Sequence, residues 1–554
     1  MNRKYVFISG GVISGVGKGI ASASVGFLLR SYGVKVTMVK ADPYLNIDAG
    51  TMNPLEHGET FVLEDGFETD MDMGHYERFI GQIFSRPNSV TAGAIFKRVL
   101  DKERSLKYDG RWVSMDSHVP HEIINWIEEV GEKDDAEVVV IEIGGTVGEM
   151  GQSIFLEANR IMKAMNHHDV VHMHVSYLPI PGTLGEMKSK PVQISVKLLN
   201  EAGINPDFII ARARVPIDDI RREKLSRYCV VPKEQVISAP DIDNIYEVPL
   251  NFEKDNITKS LLHLLQIEGK RRGRMYTKWA DKYQKITSAK NTIKIGVVGK
   301  YFKSGDFDLQ DSYVSVLEAL KHASWEFGVE AQVEWFVADE FNGKGSMSKR
   351  MKELDGMIVP QGWGSRGAEG KLKAVQLARE QKIPYLGLCY GMQMAVIEYS
   401  RNLLGLKKAN SEEVDPDSPD QVIHLMEAQK KLIKKQQYGG TIRLGAYPCK
   451  VVKGTLLHSL YREYKNDLYQ NLPVVQERHR HRYEFNNDYR KSLTDAGLVI
   501  SGTSPDDMLV EAIELPKEVH PFFVGTQYHP ELKSQLIQPH PIFMGFVKAC
   551  LAKK

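Results

Sequence analysis

Pro384-Tyr-Leu-Gly-Leu-Cys-Tyr-Gly-Met-Gln393 is an apolar run that ends in a cysteine and passes at once into a helical pattern. A short continuous run of this kind reads as a parallel strand buried on both faces, so Cys389 falls on the turn between a strand and a helix. Such an elbow lifts the side chain out of the pleat. It aims it at the first N–H groups of the helix, where partial positive charge favours a thiolate and can receive an oxyanion. Further on, Phe522-Phe-Val-Gly-Thr-Gln-Tyr-His529-Pro-Glu531 ends another apolar strand with a histidine and, two residues later, a carboxylate. Nucleophile, base and orienting acid are then all present. Taken singly, Cys389 reads equally well as a buried small hydrophobe and His529 as a surface histidine. Taken together, with glycines on both sides of the cysteine, they favour a catalytic nucleophile.

The first half opens on a second strand-to-helix junction. Lys4-Tyr-Val-Phe-Ile-Ser9 is β-branched and aromatic, Gly10-Gly-Val-Ile-Ser-Gly-Val-Gly-Lys18-Gly19 is a glycine-rich loop, and residues 20–30 are small and helical. Glycines let backbone N–H groups converge on a phosphate, and the helix terminus and the lysine add positive charge. The loop departs from the standard Walker pattern. No glycine occupies position 12, and Gly19 stands where Ser or Thr would hold magnesium, so metal ligands must come from elsewhere. The next strand, from Val34, leaves Lys40 at its carboxyl end, the edge where open parallel sheets bind ligands. Glu68-Thr-Asp-Met-Asp72 ordinarily reads as a solvated acidic turn, while Glu137-Val-Val-Val-Ile-Glu142 places a carboxylate at a sheet edge. The missing hydroxyl creates a demand for oxygen ligands, which pairs Asp72 with Glu142 as magnesium ligands.

Composition narrows the classes. The chain has 554 residues, with Lys+Arg 72 against Asp+Glu 71 and net charge +1, so no global field points to nucleic acid or an anionic membrane. Cys229, Cys389, Cys449 and Cys550 are far apart without CxxC spacing, which suits a reducing cytoplasm. Glycines break the apolar N-terminal run before a spanning length, and neither a signal peptide nor a membrane segment is expected. Glu268-Gly-Lys-Arg-Arg-Gly-Arg274 and the polar run to Asn291 read as an exposed basic connector, and residues 405–440 as an exposed insertion. Arg478-His-Arg-His-Arg482 puts two histidines on one strand face, but the interleaved arginines make a dication electrostatically poor there.

With Pro360-Gln-Gly-Trp-Gly-Ser-Arg-Gly-Ala-Glu-Gly-Lys371, the elbow and Gln527-Tyr-His-Pro-Glu531 resemble a class I glutamine amidotransferase domain. The first half resembles the CTP synthase family, and the likeness runs essentially the full length. It implies an α/β protein of two doubly wound, mainly parallel-sheet domains: a P-loop-like amidoligase (1–266), a linker (267–291) and a class I glutamine amidotransferase (292–554). The implied reaction is ATP-dependent amination of UTP to CTP with ammonia from glutamine, carried through an internal passage. Cys389, His529 and Glu531 would be the hydrolytic residues, and Lys18 and Lys40 would stabilise phosphoryl transfer with Mg²⁺.

By the same resemblance, nucleotide contacts fall on Ser14, Gly15, Val16, Gly17, Lys18, Gly19, Ile20 and Asp72, and on Lys188, Ser189, Lys190, Pro191, Val192 and Gln193. Here the family carries Lys-Thr-Lys-Pro-Thr-Gln, so Ser189 and Val192 depart from it. Lys224 matches a further pyrimidine-nucleotide contact, and Pro240, Asp241 and Ile242 match the adenine segment. Glutamine contacts fall on Gly362, Tyr390, Gly391, Met392, Gln393, Glu413 and Arg482, with the N–H groups of Gly362 and Tyr390 as oxyanion donors. Gln361 replaces a family glycine and Tyr390 a leucine. CTP is the expected product inhibitor. Its pocket is lined by Glu149, Met150 and Gly151, where the family often has Asp-Ile-Glu, so CTP is expected to bind weakly. GTP as an activator and a homotetramer are further implications, with neither nucleic acid nor membrane as partner. Two other readings stay open: a glutamine-dependent amidoligase acting on a carboxylate, and a nucleotide-sensing scaffold.

Overall fold

The computed structural model describes residues 3–553 except 51, 53–57, 183–184, 288–290, 301–302, 305–306, 309, 339–340, 342–349 and 427–441. The chain forms two compact units, residues 1–51 with 72–283 and residues 52–71 with 284–554. A stretch of the first half thus belongs to the second unit.

In the first unit, β1 (Lys4–Gly11), β2 (Val36–Asp42), β3 (Ser89–Thr91), β4 (Val138–Ile143), β5 (Val170–Tyr177), β6 (Phe208–Ala213) and β7 (Val236–Pro240) form one parallel sheet, ordered β3-β2-β4-β1-β5-β6-β7. Strands β1, β2 and β4 are buried along their whole length, as a parallel sheet covered on both faces requires. All their carboxyl ends open on one edge, which carries the glycine-rich loop, Lys40 and Glu142. Helix α1 (Lys18–Ser31) follows that loop, and its small residues let it lie close: a Cβ at Gly26 would meet Ile80 and Met38 at 2.7 and 2.8 Å.

The connector departs from its sequence reading. Residues 274–287 form a helix, α2 (Arg274–Thr287), whose Trp279 is fully buried against Phe27, Phe79 and Tyr246 and donates to the Tyr246 carbonyl at 2.9 Å. Ile286 is buried further along the same face, with Tyr276 and Tyr283 half-buried, so an apolar stripe centred on Trp279 anchors the helix.

In the second unit, β8 (Asn291–Gly299), β9 (Val329–Val337), β10 (Gly356–Val359), β11 (Tyr385–Leu388), β12 (Arg443–Val451), β13 (Val474–His481), β14 (Val499–Thr503), β15 (Val510–Glu514) and β16 (Phe523–Thr526) form a sheet ordered β9-β8-β10-β11-β16-β15-β14-β12-β13. The five strands from β9 to β16 are parallel, and the remaining four extend the sheet antiparallel. Two doubly wound α/β units are therefore present, the second with an antiparallel wing that the sequence reading did not separate out. The segment from Gly58 to Met71, with a small antiparallel pairing of Phe61–Val62 and Glu68–Thr69, packs on this wing. Gly66 and Gly445, at φ 86° and 89°, meet there, and a Cβ at Gly445 would stand 2.4 Å from the Gly66 nitrogen.

Candidate active sites

The glycine-rich loop of the first unit turns through three left-handed residues, Val12 (φ 78°), Gly15 (φ 72°) and Gly17 (φ 90°). Val12 takes the left-handed turn without being a glycine, at a cost of order 1–3 kcal/mol. Lys18 opens α1 and its Nζ donates to the Gly145 carbonyl at 2.8 Å. A Cβ at Gly10 would stand 2.7 Å from Lys18 Cδ, so glycine there gives the lysine its path over the strand. Position 19 is decided by the same kind of crowding. A Cβ on Gly19 would come within 1.9 Å of Asp72 Oδ1. The carboxylate occupies the place that a P-loop hydroxyl would fill, so an oxygen is supplied from the head of a distant helix, Asp72–Ile80.

Lys40, paired in register with Glu142, lies 2.7 Å from Asp72, 3.3 Å from Asp42 and 3.7 Å from Glu142. Burial raises the Glu142 carboxyl to about 7, the Lys40 charge opposing and the Asp72 charge adding to the rise. Burial also opposes the charge on Asp72, but Lys40 outweighs it and holds that carboxyl low. The Lys18 ammonium is pushed down, chiefly by burial. Tyr76 donates its hydroxyl to Glu142. Such crowding of carboxylates and cations off water suits a polyphosphate with a divalent ion. Among the described residues, no group of three His, Cys, Asp or Glu side chains makes a metal cage. Two carboxylates facing a phosphate loop still fit magnesium, which keeps waters and phosphate oxygens as its other ligands.

Two features of this edge escaped the sequence reading. Arg212, at the end of β6, donates to the Pro240 carbonyl and to Asp241 at 3.2 and 2.8 Å, and its Nε lies 3.7 Å from where a Cβ on Gly17 would be. It joins the phosphate loop to the expected adenine segment. The rule that exposed Lys40, a cation at the carboxyl end of a parallel strand, applies to it unchanged. Behind the loop, buried His172, Ser9, His174 and Ser195 form a hydrogen-bonded chain at 2.8, 2.9 and 2.7 Å. Burial, then Lys18, lowers His174 to about 3, so it is neutral.

The remaining expected nucleotide residues are more scattered. Lys188 pairs with Glu186 at 2.6 Å, and the charges of Lys188, Arg221 and Lys224 hold the exposed Glu186 carboxyl low. Lys190 is exposed at the start of the helix Lys190–Glu201, in which Gln193 donates to Ser189 at 3.1 Å while Val192 is turned into the core. Ser14 and Gly15 are exposed, Ile20 is half-buried and Val16 is buried. Glu149 and Met150 line a cleft of about 660 Å³ that also holds Glu157 but not Gly151. A Cβ at Gly151 would stand 2.8 Å from the Pro43 carbonyl oxygen.

In the second unit, Cys389 sits between β11 and α3 (Tyr390–Asn402) at φ 53°, ψ −100°. Its N–H donates to the Thr526 carbonyl at 2.7 Å, and its thiol faces the Arg480 carbonyl at 3.9 Å and the Gln527 amide at 3.7 Å. His529 Nδ1 lies 2.7 Å from Glu531 Oε1, while its Nε2 is buried without a hydrogen-bond partner. Both residues line the same small cavity, of about 50 Å³, as Cys389 and Gly362. Burial works against an imidazolium, but the Glu531 and Cys389 charges prevail and raise His529 to about 10. Cys389, His529 and Glu531 are thus brought together.

The residues expected to contact glutamine split into two groups. Gln393 donates to the Tyr483 carbonyl at 3.1 Å, and Glu413 accepts from the Gly364 N–H at 2.7 Å. Burial raises the Glu413 carboxyl, against the Gly364 N–H, Lys300 and Arg482, and the Arg482 Nε is buried without a partner. These groups can hold the two charged ends of an amino acid. Gly391 and Met392 instead face the core: a Cβ on Gly391 would meet the Val359 carbonyl oxygen at 2.0 Å, and Met392 packs on Gly525. Tyr390 stands with Lys300 Nζ 4.4 Å and Lys371 Nζ 5.1 Å from its ring centre, and donates to the Gly364 carbonyl at 2.9 Å. The two lysines donate to the carbonyls of Trp363, Gly364 and Pro360, so the 360–364 loop is tied from behind. Gln361 reaches Glu59 at 3.4 Å. Gln361 and Tyr390, two positions at which this chain departs from the family pattern, thus hold contacts on or beside the 360–364 loop.

The sequence profile described as CTP synthase N-terminus matches residues 4–267, and that of class I glutamine amidotransferase residues 308–549. A CTP synthase of Caldanaerobacter subterraneus is 47% identical over 100% of this chain and 99% of its own length. CTP synthases of Prochlorococcus marinus and Rippkaea orientalis are each 46% identical over 99% of this chain and 95% and 96% of theirs. With both halves matched in order and relatives aligned end to end, the chain belongs to the CTP synthase family.

Proposed function

We propose that this chain makes CTP by phosphorylating the O4 of UTP with ATP and displacing that phosphate with ammonia freed from glutamine. The reading is carried by one observation: a phosphate loop with Lys18 and Lys40 and an elbow Cys389 with His529 and Glu531 stand on the two units of a single chain. Incubation with UTP, ATP, Mg²⁺ and either glutamine or ammonium, followed by nucleotide analysis, tests it. CTP with both nitrogen sources is expected, and no CTP with either would refute it.

In the second unit, Cys389 adds to the glutamine amide carbon and His529 delivers the proton that lets ammonia leave, with Glu531 fixing the ring. The oxyanion that forms lies at the N-terminus of α3 and beside Gly362. In the first unit, Lys18 and Lys40 meet the transferring phosphoryl group, and Arg212 orients the nucleotide. Asp72 and Glu142 are the residues that would hold Mg²⁺, which when bound neutralises phosphate charge. GTP activation, a homotetramer and a cytoplasmic location rest on family membership alone, although the four cysteines are free and buried. No described helix is long and apolar enough to cross a membrane.

CTP feedback follows from the cleft at Glu149 and Met150. The family carboxylate is replaced by Gly151, and losing a charge-assisted hydrogen bond is worth about 1.5–3 kcal/mol, roughly ten- to a hundredfold in affinity. A substitution at 151 is a poor probe, because the Pro43 carbonyl crowds its Cβ. The wild-type protein is the better one: its CTP inhibition constant should lie well above its KM for UTP, and tight inhibition would show that Glu149 or Glu157 has taken over the contact of the missing carboxylate.

Cys389→Ala should abolish glutamine-dependent CTP formation and leave the ammonia-dependent rate within about twofold of wild type. Loss of both would contradict the division of roles. Lys18→Ala should remove both rates together, since activation of UTP precedes amination whatever the nitrogen source. A near-normal ammonia-dependent rate would make the loop structural. The alkaline limb of glutamine hydrolysis, where the imidazolium loses its proton, should lie near pH 10 in the wild type. With Glu531→Gln the largest group raising that value is gone, and the limb in kcat/KM should move down by about one pH unit or more. An unmoved limb would mean that another group titrates there.

A further inference from the structure

The run Arg478-His-Arg-His-Arg482 is too charged for a buried strand, and glutamine contact accounts for its last residue alone. In β13 its side chains alternate between two faces. His479 and His481 turn to one side, 2.9 Å apart, toward a buried cluster in which Arg443 bridges Glu484 and Glu511 at 3.2 and 2.8 Å. Arg478 and Arg480 turn to the other, toward the segment from Gly58 to Met71. Arg478 is fully buried; its Nε lies 2.9 Å from Glu64 Oε2, and its Nη1 donates to the Val62 carbonyl at 3.1 Å. Arg480 Nε lies 2.7 Å from Glu68 Oε1, and its guanidinium stands 5.8 Å from the Trp363 ring centre.

The backbone of these same two residues holds the hydrolytic pair. The Arg478 carbonyl accepts from the His529 N–H at 2.8 Å, and the Arg480 carbonyl faces the Cys389 thiol at 3.9 Å. Each arginine therefore touches an acid of the 58–71 segment with its side chain and the catalytic dyad with its main chain. The segment is seated independently of these charges. The Glu64 carbonyl accepts from the Ala446 N–H at 2.8 Å, and Gly66 and Gly445 let the two backbones touch.

We propose that Arg478 and Arg480 are positioning residues of the glutaminase, and that Glu64 and Glu68 set them, so that Cys389 and His529 align for hydrolysis only with the 58–71 segment seated on β13. The inference rests on the reading of Cys389 as the glutaminase nucleophile. It explains why charge is spent on a buried strand: a breathing segment would release two guanidinium groups whose main chain carries the dyad. A displacement of the order of 1 Å at a reacting atom is enough to cost about a hundredfold in rate.

The test uses the full chain with Glu64→Gln, Glu68→Gln and Gly66→Ala, the last unseating the turn without touching a charge. Glutamine hydrolysis is expected to fall about tenfold or more in kcat in Glu64→Gln and Glu68→Gln, with KM for glutamine changed by less than about threefold, because Gln393, Glu413 and Arg482 are untouched. Gly66→Ala should follow the same pattern. Ammonia-dependent CTP formation should stay within about twofold in all three, which also shows that they fold. Unchanged hydrolysis in both glutamine variants would overturn the proposal. A parallel fall of both activities would overturn it too, by making the contacts merely structural. Failure of the underlying reading looks different: Cys389→Ala would then hydrolyse glutamine like the wild type.

Discussion

Everything in the second unit depends on a helix being packed over the strand that feeds it with no room to spare. A Cβ on Gly387 would lie 2.8 Å from the Gly391 carbonyl carbon in the helix, and one on Gly391 would lie 2.0 Å from the carbonyl oxygen of Val359 on the neighbouring strand β10. Only glycines admit so close a pass, and the residue between them takes up the strain. Cys389 has φ 53°, a left-handed backbone that costs of order 1–3 kcal/mol outside glycine. The strain has a use: it fixes the thiol over the first turn of a helix, where the dipole and free N–H groups stabilise negative charge. The strand carrying the elbow pairs in register with the one leading to His529, Leu388 beside Thr526. Cys389 and His529 are therefore positioned by adjacent parallel strands.

The first unit solves a different problem, holding polyphosphate charge in a site removed from water. Its answer is to bury lysines and carboxylates side by side, with Lys40 among Asp42, Asp72 and Glu142 and Lys18 nearby. Buried charges are costly when left unpaired, so the cluster is balanced before any nucleotide arrives. Glu142, raised to about 7, can be neutral in the free protein and ionised once a cation is present. Gly19 makes this arrangement possible by leaving Asp72 the space that a side chain would take.

Much of this could be read in the amino-acid order, for a definite reason. Cys389, His529, Lys40 and Glu142 sit at the carboxyl ends of apolar runs, and in a parallel sheet that position alone puts them on the ligand edge. The same rule would have found Arg212, and also Lys300 at the end of its apolar run. Other features left no local mark. Glu64 and Arg478 are 414 positions apart, and nothing in the periodicity around Glu64 or Glu68 distinguishes a solvated acidic turn from one clamped on arginines. Gly391 and Met392, which the motif places beside the elbow, turn a Cβ position and a side chain toward the core, so contact with glutamine at these two positions falls to the backbone. In the connector, Tyr276, Trp279, Tyr283 and Ile286 recur at helical spacing, a signal that the surrounding charged residues masked, and Trp279 and Ile286 are buried.

The central claim is that nitrogen freed at Cys389 replaces an oxygen that has first been phosphorylated. Both halves of it can be read in one mass spectrum. The protein is given UTP labelled with ¹⁸O at position 4, glutamine labelled with ¹⁵N in its amide, and unlabelled ATP. The account predicts CTP carrying ¹⁵N in its exocyclic 4-amino group, with the ¹⁸O recovered in inorganic phosphate. Recovery of the ¹⁸O in water, or ¹⁵N left in solution while glutamate accumulates and CTP does not, would contradict it.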